Sequence, residues 1–381
     1  MTTATKLAEW RSQFPVTDEW AYLNHAALGP LPQRTTQAIN EIAAALASPI
    51  ESAVVSYRDL ESTARENVAA LVKGKPAMVA FAGSLAESIS LAACGIDWQP
   101  GDNVVIPRDE FPSVVYPFLN LARRGVEIRY VDKDADGFTS IDLIREAIDD
   151  RTRALALSHV EFMTGFQNDL SAIGTLCRER DILSIIDGTQ SIGAQPIDIL
   201  ASGIDVIAAH AYKWLLSSFG LGVMHFSERA IERIHPTYAG RLSVKGDSED
   251  TDYHLTFRDG AERYQTGGLN WITLAAFNAS AGLVREADPA QSAAHTFELT
   301  ERLLNGVEES GYRVTSSRER NHRSQIVSFT SGDRDTDARL VEELERRKVS
   351  VCLRGRGVRV SPYFYNTVED IDRLLESLPP R

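Results

Sequence analysis

Cysteine is scarce in this chain: three in 381 residues (Cys94, Cys177 and Cys352), odd in number and in no C-x-x-C pair. That pattern excludes a disulfide framework and a zinc ribbon and fits a reducing compartment. Positive charge is also short. Forty Lys and Arg stand against 53 Asp and Glu, a formal net charge of −13, so the basic footprint that holds nucleic acid or an anionic membrane surface is missing. No apolar run long enough to span a bilayer is present, and the opening MTTATKLAEW lacks the apolar stretch of a secretory signal. The expectation is a cytoplasmic protein with a small ligand, no nucleic acid and no membrane. Several motifs are absent as well. GLGVMH has His225 where a dinucleotide fingerprint needs its last glycine. G-x-x-x-x-G-K-[ST], G-x-S-x-G and H-E-x-x-H do not occur, and the eight histidines have no ligand spacing, so no metal is expected.

What is present is alternation. From residue 77 to 226, short β-branched apolar runs (MVAFAG, NVVIP, VEIRYV, ALALSHV, ILSIIDG) alternate with segments of helical period. Near-continuous apolar strands are buried on both faces, so these βα units predict an α/β fold, a mostly parallel sheet flanked by helices. After about residue 270 a helix-strand-helix-strand order predicts a smaller α+β domain. The expected division is a large domain over 21–268 and a small domain over 1–20 and 269–381.

In such a sheet the strand ends carry the chemistry. Lys213 follows DVIAAHAY and precedes the apolar turn WLLSSFGLG; desolvation there turns a lysine into a nucleophilic amine able to form a Schiff base. Taken alone it reads as well as a snorkelling strand-end lysine. Asp187 closes LSIID, where a buried acid needs a cation such as a protonated pyridine nitrogen, although D-G is also an ordinary turn. Gln190 lies three residues on. Ser84, Leu85 and Ala86 open a helix after a strand, and their amides suit a phosphate, while Ser84 with Glu87 also spells a capping box. Phe111 offers a flat face to a ring or simply belongs to the core.

Together these residues resemble the class V aminotransferase family of fold type I pyridoxal-phosphate enzymes, which includes cysteine desulfurases, kynureninases and isopenicillin-N-epimerase-like proteins. YLNHAALGPLP, FAGSLAESIS, SHVEFMTGFQNDL, IIDGTQSIGAQPID, HAYKWLLSSFGLG, RYQTGGLN and RVSPYFYNTVEDID follow the family's order and spacing over nearly the whole length. The resemblance implies pyridoxal 5'-phosphate as cofactor and Lys213 as the catalytic Schiff-base lysine. Asp187 would partner the pyridinium, Gln190 the phenolic oxygen, and Phe111 would stack on the ring. His210 and Tyr212, with Ser84, Leu85 and Ala86, would hold the phosphate. Gly268, in a turn over 266–270, would reach a partner subunit's phosphate in a homodimer. Arg359 would grip the substrate α-carboxylate, with Asn24 and His25 also at the substrate; Arg354 and Arg356 lie beside Arg359 and suit the same carboxylate, a second acidic group or solvent.

The departures from the family pattern are informative. Leu85 and Ala86 replace phosphate-binding threonines, Phe162 replaces an asparagine, and Gly268 replaces a threonine. The segment before RVSPYFYNT is only LRGRGV and lacks the persulfide-carrying cysteine of desulfurases; Cys352 falls in the strand-like VSVCL. The expected activity is reaction at Cα of an amino acid, of aminotransferase, β-lyase or epimerase type. The alternatives are a cysteine desulfurase and a non-catalytic fold relative. The segment 237–257 is expected to be a mobile loop at the substrate entrance.

Overall fold

The computed structural model describes residues 3–49, 57, 59–246, 253–355 and 357–379. Arg356 and residues 247–252 of the expected entrance loop lie outside them. The chain runs α1 (Thr3–Ser12), β1 (Ala21–Tyr22), α2 (Gln33–Leu46) and α3 (Leu60–Val72), then β2 (Val79–Ala82), α4 (Leu85–Gly95), β3 (Asn103–Pro107), α5 (Pro112–Leu119) and β4 (Glu127–Val131). It continues with α6 (Ile141–Ala147), β5 (Thr152–Ser158), α7 (Leu170–Glu179), β6 (Leu183–Asp187), α8 (Ile199–Ser202), β7 (Val206–His210), β8 (Gly222–Phe226) and α9 (Glu228–Arg233). The second part holds α10 (Trp271–Ala287), α11 (Pro289–Glu309), β9 (Arg313–Val314), β10 (Val327–Thr330), α12 (Arg334–Arg346), β11 (Val349–Ser350), β12 (Cys352–Arg354), β13 (Gly357–Val360) and α13 (Val368–Leu375).

Seven strands form one sheet in the order β2-β8-β7-β6-β5-β3-β4. Only β8 runs against its neighbours; the rest are parallel. The apolar strands follow from burial on both faces. Along β5, Ala154 and Ala156 join the core against α4 and α5, while Leu155 and Leu157 join the core against α3, α7 and α10. The sheet grows from β3 outward to β4 and, in the other direction, to β5. A crevice therefore opens between the carboxyl ends of β3 and β5, where an open α/β sheet binds its ligand.

A second sheet, β12-β13-β10-β9, packs its apolar face (Val327, Phe329, Val358, Val360) against α11, α12 and α13. Its other face meets the loop 159–169 that follows β5. Three serines pin that loop: Ser328 donates to the Met163 carbonyl at 2.7 Å, Ser324 to Gly165 at 2.7 Å and Ser316 to Thr164 at 2.5 Å. Gly165 has φ +74, and a Cβ there would lie 2.3 Å from the Ile326 carbonyl oxygen. Only glycine takes that backbone this close to the second sheet. No helix among the described residues is long and apolar enough to cross a membrane.

Candidate active site

The crevice is built from strand ends. After β3 the chain reaches Glu110 and Phe111, and Pro112 at the first position of α5 fixes the turn. The Glu110 carboxyl accepts from the Ser158 amide at 2.5 Å and the Ser158 hydroxyl at 2.7 Å, tying the end of β3 to the end of β5. It also accepts from the Phe111 amide at 3.0 Å, so the carboxyl that joins the strands also holds the backbone of the aromatic residue. Burial pushes Glu110 up to about 7, and the charge of Asp187 adds to the rise.

Asp187 pairs in register with Ser158 and is 5% exposed. Its carboxylate accepts from the Thr189 amide at 2.7 Å. Burial raises its pKa, while the Thr189 hydrogen bonds and the charge of Lys213 lower it. Lys213 lies in the turn between β7 and β8 and is 7% exposed. Burial pushes its ammonium down to about 8; Asp187 opposes that shift, and Arg359 and Arg354 add to it. Its nitrogen stands 5.5 Å from the centre of the Phe111 ring. The turn is rigid: Gly29 donates its amide to the Tyr212 carbonyl at 3.0 Å, and a Cβ on Gly29 would lie 2.2 Å from the Lys213 carbonyl oxygen. The Tyr363 hydroxyl ties the Trp214 carbonyl to that of Gly193.

The phosphate candidates gather at the start of α4. The Leu85 amide donates to His210 Nδ1 at 3.4 Å, and Ser84 Oγ caps the helix by accepting from the Glu87 amide at 3.1 Å. The Glu87 carboxylate accepts from the Gly83 amide at 2.8 Å rather than from that of Ser84, so only the Ser84 half of the capping box expected from sequence forms. Ala86 is half-buried in the first turn. Burial, helped by Lys213, pushes His210 down to about 4, which keeps the ring neutral as an acceptor. The Tyr212 ring lies 4.6 Å from that of His210 and stacks on the exposed Phe219 at 4.4 Å.

The facing wall is the β12–β13 hairpin. Arg359 is 1% exposed, and its Nη1 donates to the Phe162 carbonyl at 2.6 Å. Its Nε and Nη2 are buried with no oxygen or nitrogen partner, although the Cys352 sulfur lies within reach of the guanidinium. Phe162 in turn packs edge-on against Phe111 at 5.2 Å. Arg359, Phe162, Phe111 and Lys213 thus form a continuous lining.

The remaining expected residues are placed differently. Gln190 donates from Nε2 to the Ala26 carbonyl at 3.1 Å and accepts from Trp214 Nε1 at 2.7 Å, leaving one amide hydrogen for a ligand. His25 is fully buried, its Nε2 bonded to the Tyr365 hydroxyl at 2.5 Å and its ring enclosed by Trp214, Tyr363 and Tyr365. It presents no surface to a substrate and braces the segment behind Lys213. Asn24 is half-buried with a free Oδ1 beside it. Gly268 sits in an exposed turn with open space around it, apart from the residues gathered around Lys213.

Sequence reasoning assigned no role to Glu110, Glu161 or Ser158. Glu161 is held well above the ordinary carboxylate range by burial and by Glu110. An acid following a buried strand, as in NVVIPRDEF, is a usable signal for Glu110. The serines that pin 161–165 gave no local signal, because each is defined by a contact more than 150 residues away in sequence.

The comparisons with known proteins agree with this geometry. The family model Aminotransferase class-V matches residues 21–374. The chain belongs to the class-V aminotransferase family. It is 26% identical to a probable cysteine desulfurase of Methanothermobacter thermautotrophicus, over 97% of this chain and 96% of that protein. Its fold matches the cysteine desulfurase CsdA from Escherichia coli with a TM-score of 0.84 at 23% identity, covering 97% of each chain. It also matches the cystine C–S lyase C-DES, solved with its product cysteine persulfide, with a TM-score of 0.87 at 21% identity, covering 96% of this chain and 99% of that one. Pyridoxal 5'-phosphate is the cofactor of this class-V chain. The residues present fit that group: a buried lysine amine free of ion pairs among the described residues, a buried carboxylate whose charge acts on that lysine, and an aromatic ring 5.5 Å from the amine.

Proposed function

We propose that this class-V enzyme is a β-lyase that takes an amino acid with a leaving group on Cβ, of the sulfur-bearing type handled by the named relatives. The observation that carries the reading is the pair of orphaned guanidinium nitrogens on Arg359, buried across the lining from Lys213. A carboxylate satisfies both in one fork, and a buried arginine left half-bonded costs stability until it has such a ligand. Held there, the substrate turns Cα toward the amine. When bound, the cofactor supplies an aldehyde for Lys213 and a pyridine ring that withdraws electrons from Cα. Asp187 would keep the ring nitrogen protonated, Phe111 would face the ring, and His210, Tyr212 and the first amides of α4 would hold the phosphate. Gln190, with its one remaining amide hydrogen, is assigned to the phenolic oxygen.

Lys213, its amine free once substrate is bound, would take the Cα proton. The Cβ bond then breaks, and its electron pair leaves with the β-substituent as an anion. Elimination rather than persulfide transfer is supported by the position of Cys352, held in β12 opposite Arg359 with no mobile loop to carry it. In a homodimer each subunit's exposed 266–270 turn would be available to the other's phosphate. Desulfuration is the second reading, favoured by the likeness to cysteine desulfurases. Incubation of cofactor-loaded protein with cysteine and cystine separates the two: pyruvate and ammonia are expected. Alanine, with a persulfide trapped on a protein cysteine, would replace this reading with desulfuration.

A further inference from the structure

The hairpin that carries Arg359 has a second cation on the same face. In an antiparallel pair, residues opposite each other share a face, and the face repeats every second residue. Cys352 pairs with Arg359 and Arg354 with Gly357, so Cys352, Arg354, Gly357 and Arg359 lie on one side. The intervening pair, Leu353 and Val358, lies on the other, where Val358 enters the core of the second sheet. The cationic side therefore faces away from that core and toward the loop 161–164. The hairpin turn confirms the contact, since a Cβ on Gly355 would lie 2.8 Å from Met163 Sδ. Arg359 is buried deep in this face and Arg354 is exposed at its outer end. Both positive charges act on Lys213. No carboxylate forms an ion pair with either arginine among the described residues, although 15 other arginines have such partners there.

We infer that Arg354 and Arg359 bind two anionic groups of one substrate, so the preferred amino acid carries a negative charge on its side chain as well as at its α-carboxylate. This rests on the reading of Arg359 as the α-carboxylate site. With that carboxylate in the buried fork, the side chain extends outward along the hairpin face toward Arg354. Gly357 opposite it admits no side chain, since a Cβ there would lie 2.2 Å from the Phe329 carbonyl oxygen. A guanidinium at that outer position also serves the chemistry, because a β-substituent that departs as an anion gains charge where Arg354 stands. The substrate class is then an amino acid with an acidic or anion-forming group one or two bonds beyond Cβ.

The test uses cofactor-loaded protein and two ligands without an amine, succinate and propionate, measured by calorimetry at low salt. Succinate should bind about 10-fold tighter than propionate, the scale of one charge-assisted contact at a partly open site, and added salt should erode the difference. Arg354→Gln should bring the ratio near one while propionate affinity moves less than about twofold. Arg354→Lys, which keeps the charge and loses the planar fork, should fall between. A ratio of one in the natural protein, or a ratio retained in Arg354→Gln, overturns the inference. Protein that takes up no cofactor, seen as missing absorption of the bound aldehyde, overturns the reading of the site itself, so the two failures are distinct.

Discussion

The two walls of the crevice are finished to different degrees. On the strand-end wall nearly every polar group already has a protein partner: Glu110 with Ser158 and Phe111, Asp187 with Thr189, Gln190 with Ala26 and Trp214, His210 with Leu85. On the hairpin wall Arg359 keeps two buried nitrogens unbonded and Arg354 pairs with no acid among the described residues. Buried polar groups are ordinarily satisfied, so the unfinished wall is the one that waits for a ligand. The finished wall tunes charge. It pushes Lys213 down and Glu110 up by burial, and it sets Asp187 against the lysine. One wall supplies chemistry and the other supplies recognition.

Breaking the chemical wall should have the largest effect. Lys213→Ala removes the amine that both anchors the cofactor and moves the Cα proton. Turnover should vanish, and borohydride should no longer fix cofactor to the protein. A variant that still gave covalently reduced cofactor would show that another lysine holds it. Substrate should still bind this variant, because the hairpin wall is untouched.

Next in size is Asp187→Asn, which leaves shape and removes charge. Proton removal at Cα should slow by about 10²- to 10³-fold, the scale of losing one preorganised charge. The same variant sharpens the comparison through pH. Lys213 must be neutral to attack the aldehyde, and burial places its pKa near about 8. Covalent capture of cofactor by the cofactor-free protein should therefore rise with pH through a midpoint at about 8 and level off well above it. Asp187 raises that pKa, so in Asp187→Asn the midpoint should move to lower pH. A midpoint that stayed fixed or moved up would mean that the two groups do not act on each other.

Breaking the recognition wall should read differently. Arg359→Lys keeps a positive charge but cannot fork onto a carboxylate. KM for an amino-acid substrate should rise by about 10- to 100-fold, with a smaller fall in kcat, because orientation of Cα also suffers. An equal fall in kcat with unchanged KM would move Arg359 to the chemical wall.

The same contrast explains what the sequence makes legible. The strand-end wall is written locally. Asp187, Lys213 and Phe111 each follow an apolar strand, and a charge after a buried strand is a signal with a physical reason. The parallel sheet is legible for the same reason, since burial on both faces makes its strands apolar throughout. The hairpin wall depends on pairing. That Cys352, Arg354 and Arg359 share a face follows from a register of β12 on β13 that no single segment specifies. His25 shows the converse: a polar residue in a family-like stretch reads as a ligand group, but Trp214, Tyr363 and Tyr365 close around it from over 180 residues away.

The smallest expected effect belongs to Cys352, and it tests the boundary between the walls. The sequence places this cysteine in a strand, and it is the first residue of β12, paired with Arg359. Its sulfur is near enough to raise the pKa of Arg359 and of Lys213, so it lies closer to the chemistry than the sequence alone suggests. Nearness is not reach, however. Accepting sulfur from a substrate needs a thiolate that can swing onto the β-substituent, and backbone pairing on β13 fixes this one in place. Alanine at this position removes a small, partly buried side chain and leaves both guanidinium groups intact. Cys352→Ala should therefore keep activity within about threefold, since it removes only a small side chain and one weak thiol contact with Arg359. The measurement is turnover of cysteine with the products identified. Loss of sulfide release together with loss of a trapped persulfide would make Cys352 the sulfur acceptor and move it from the recognition wall into the reaction.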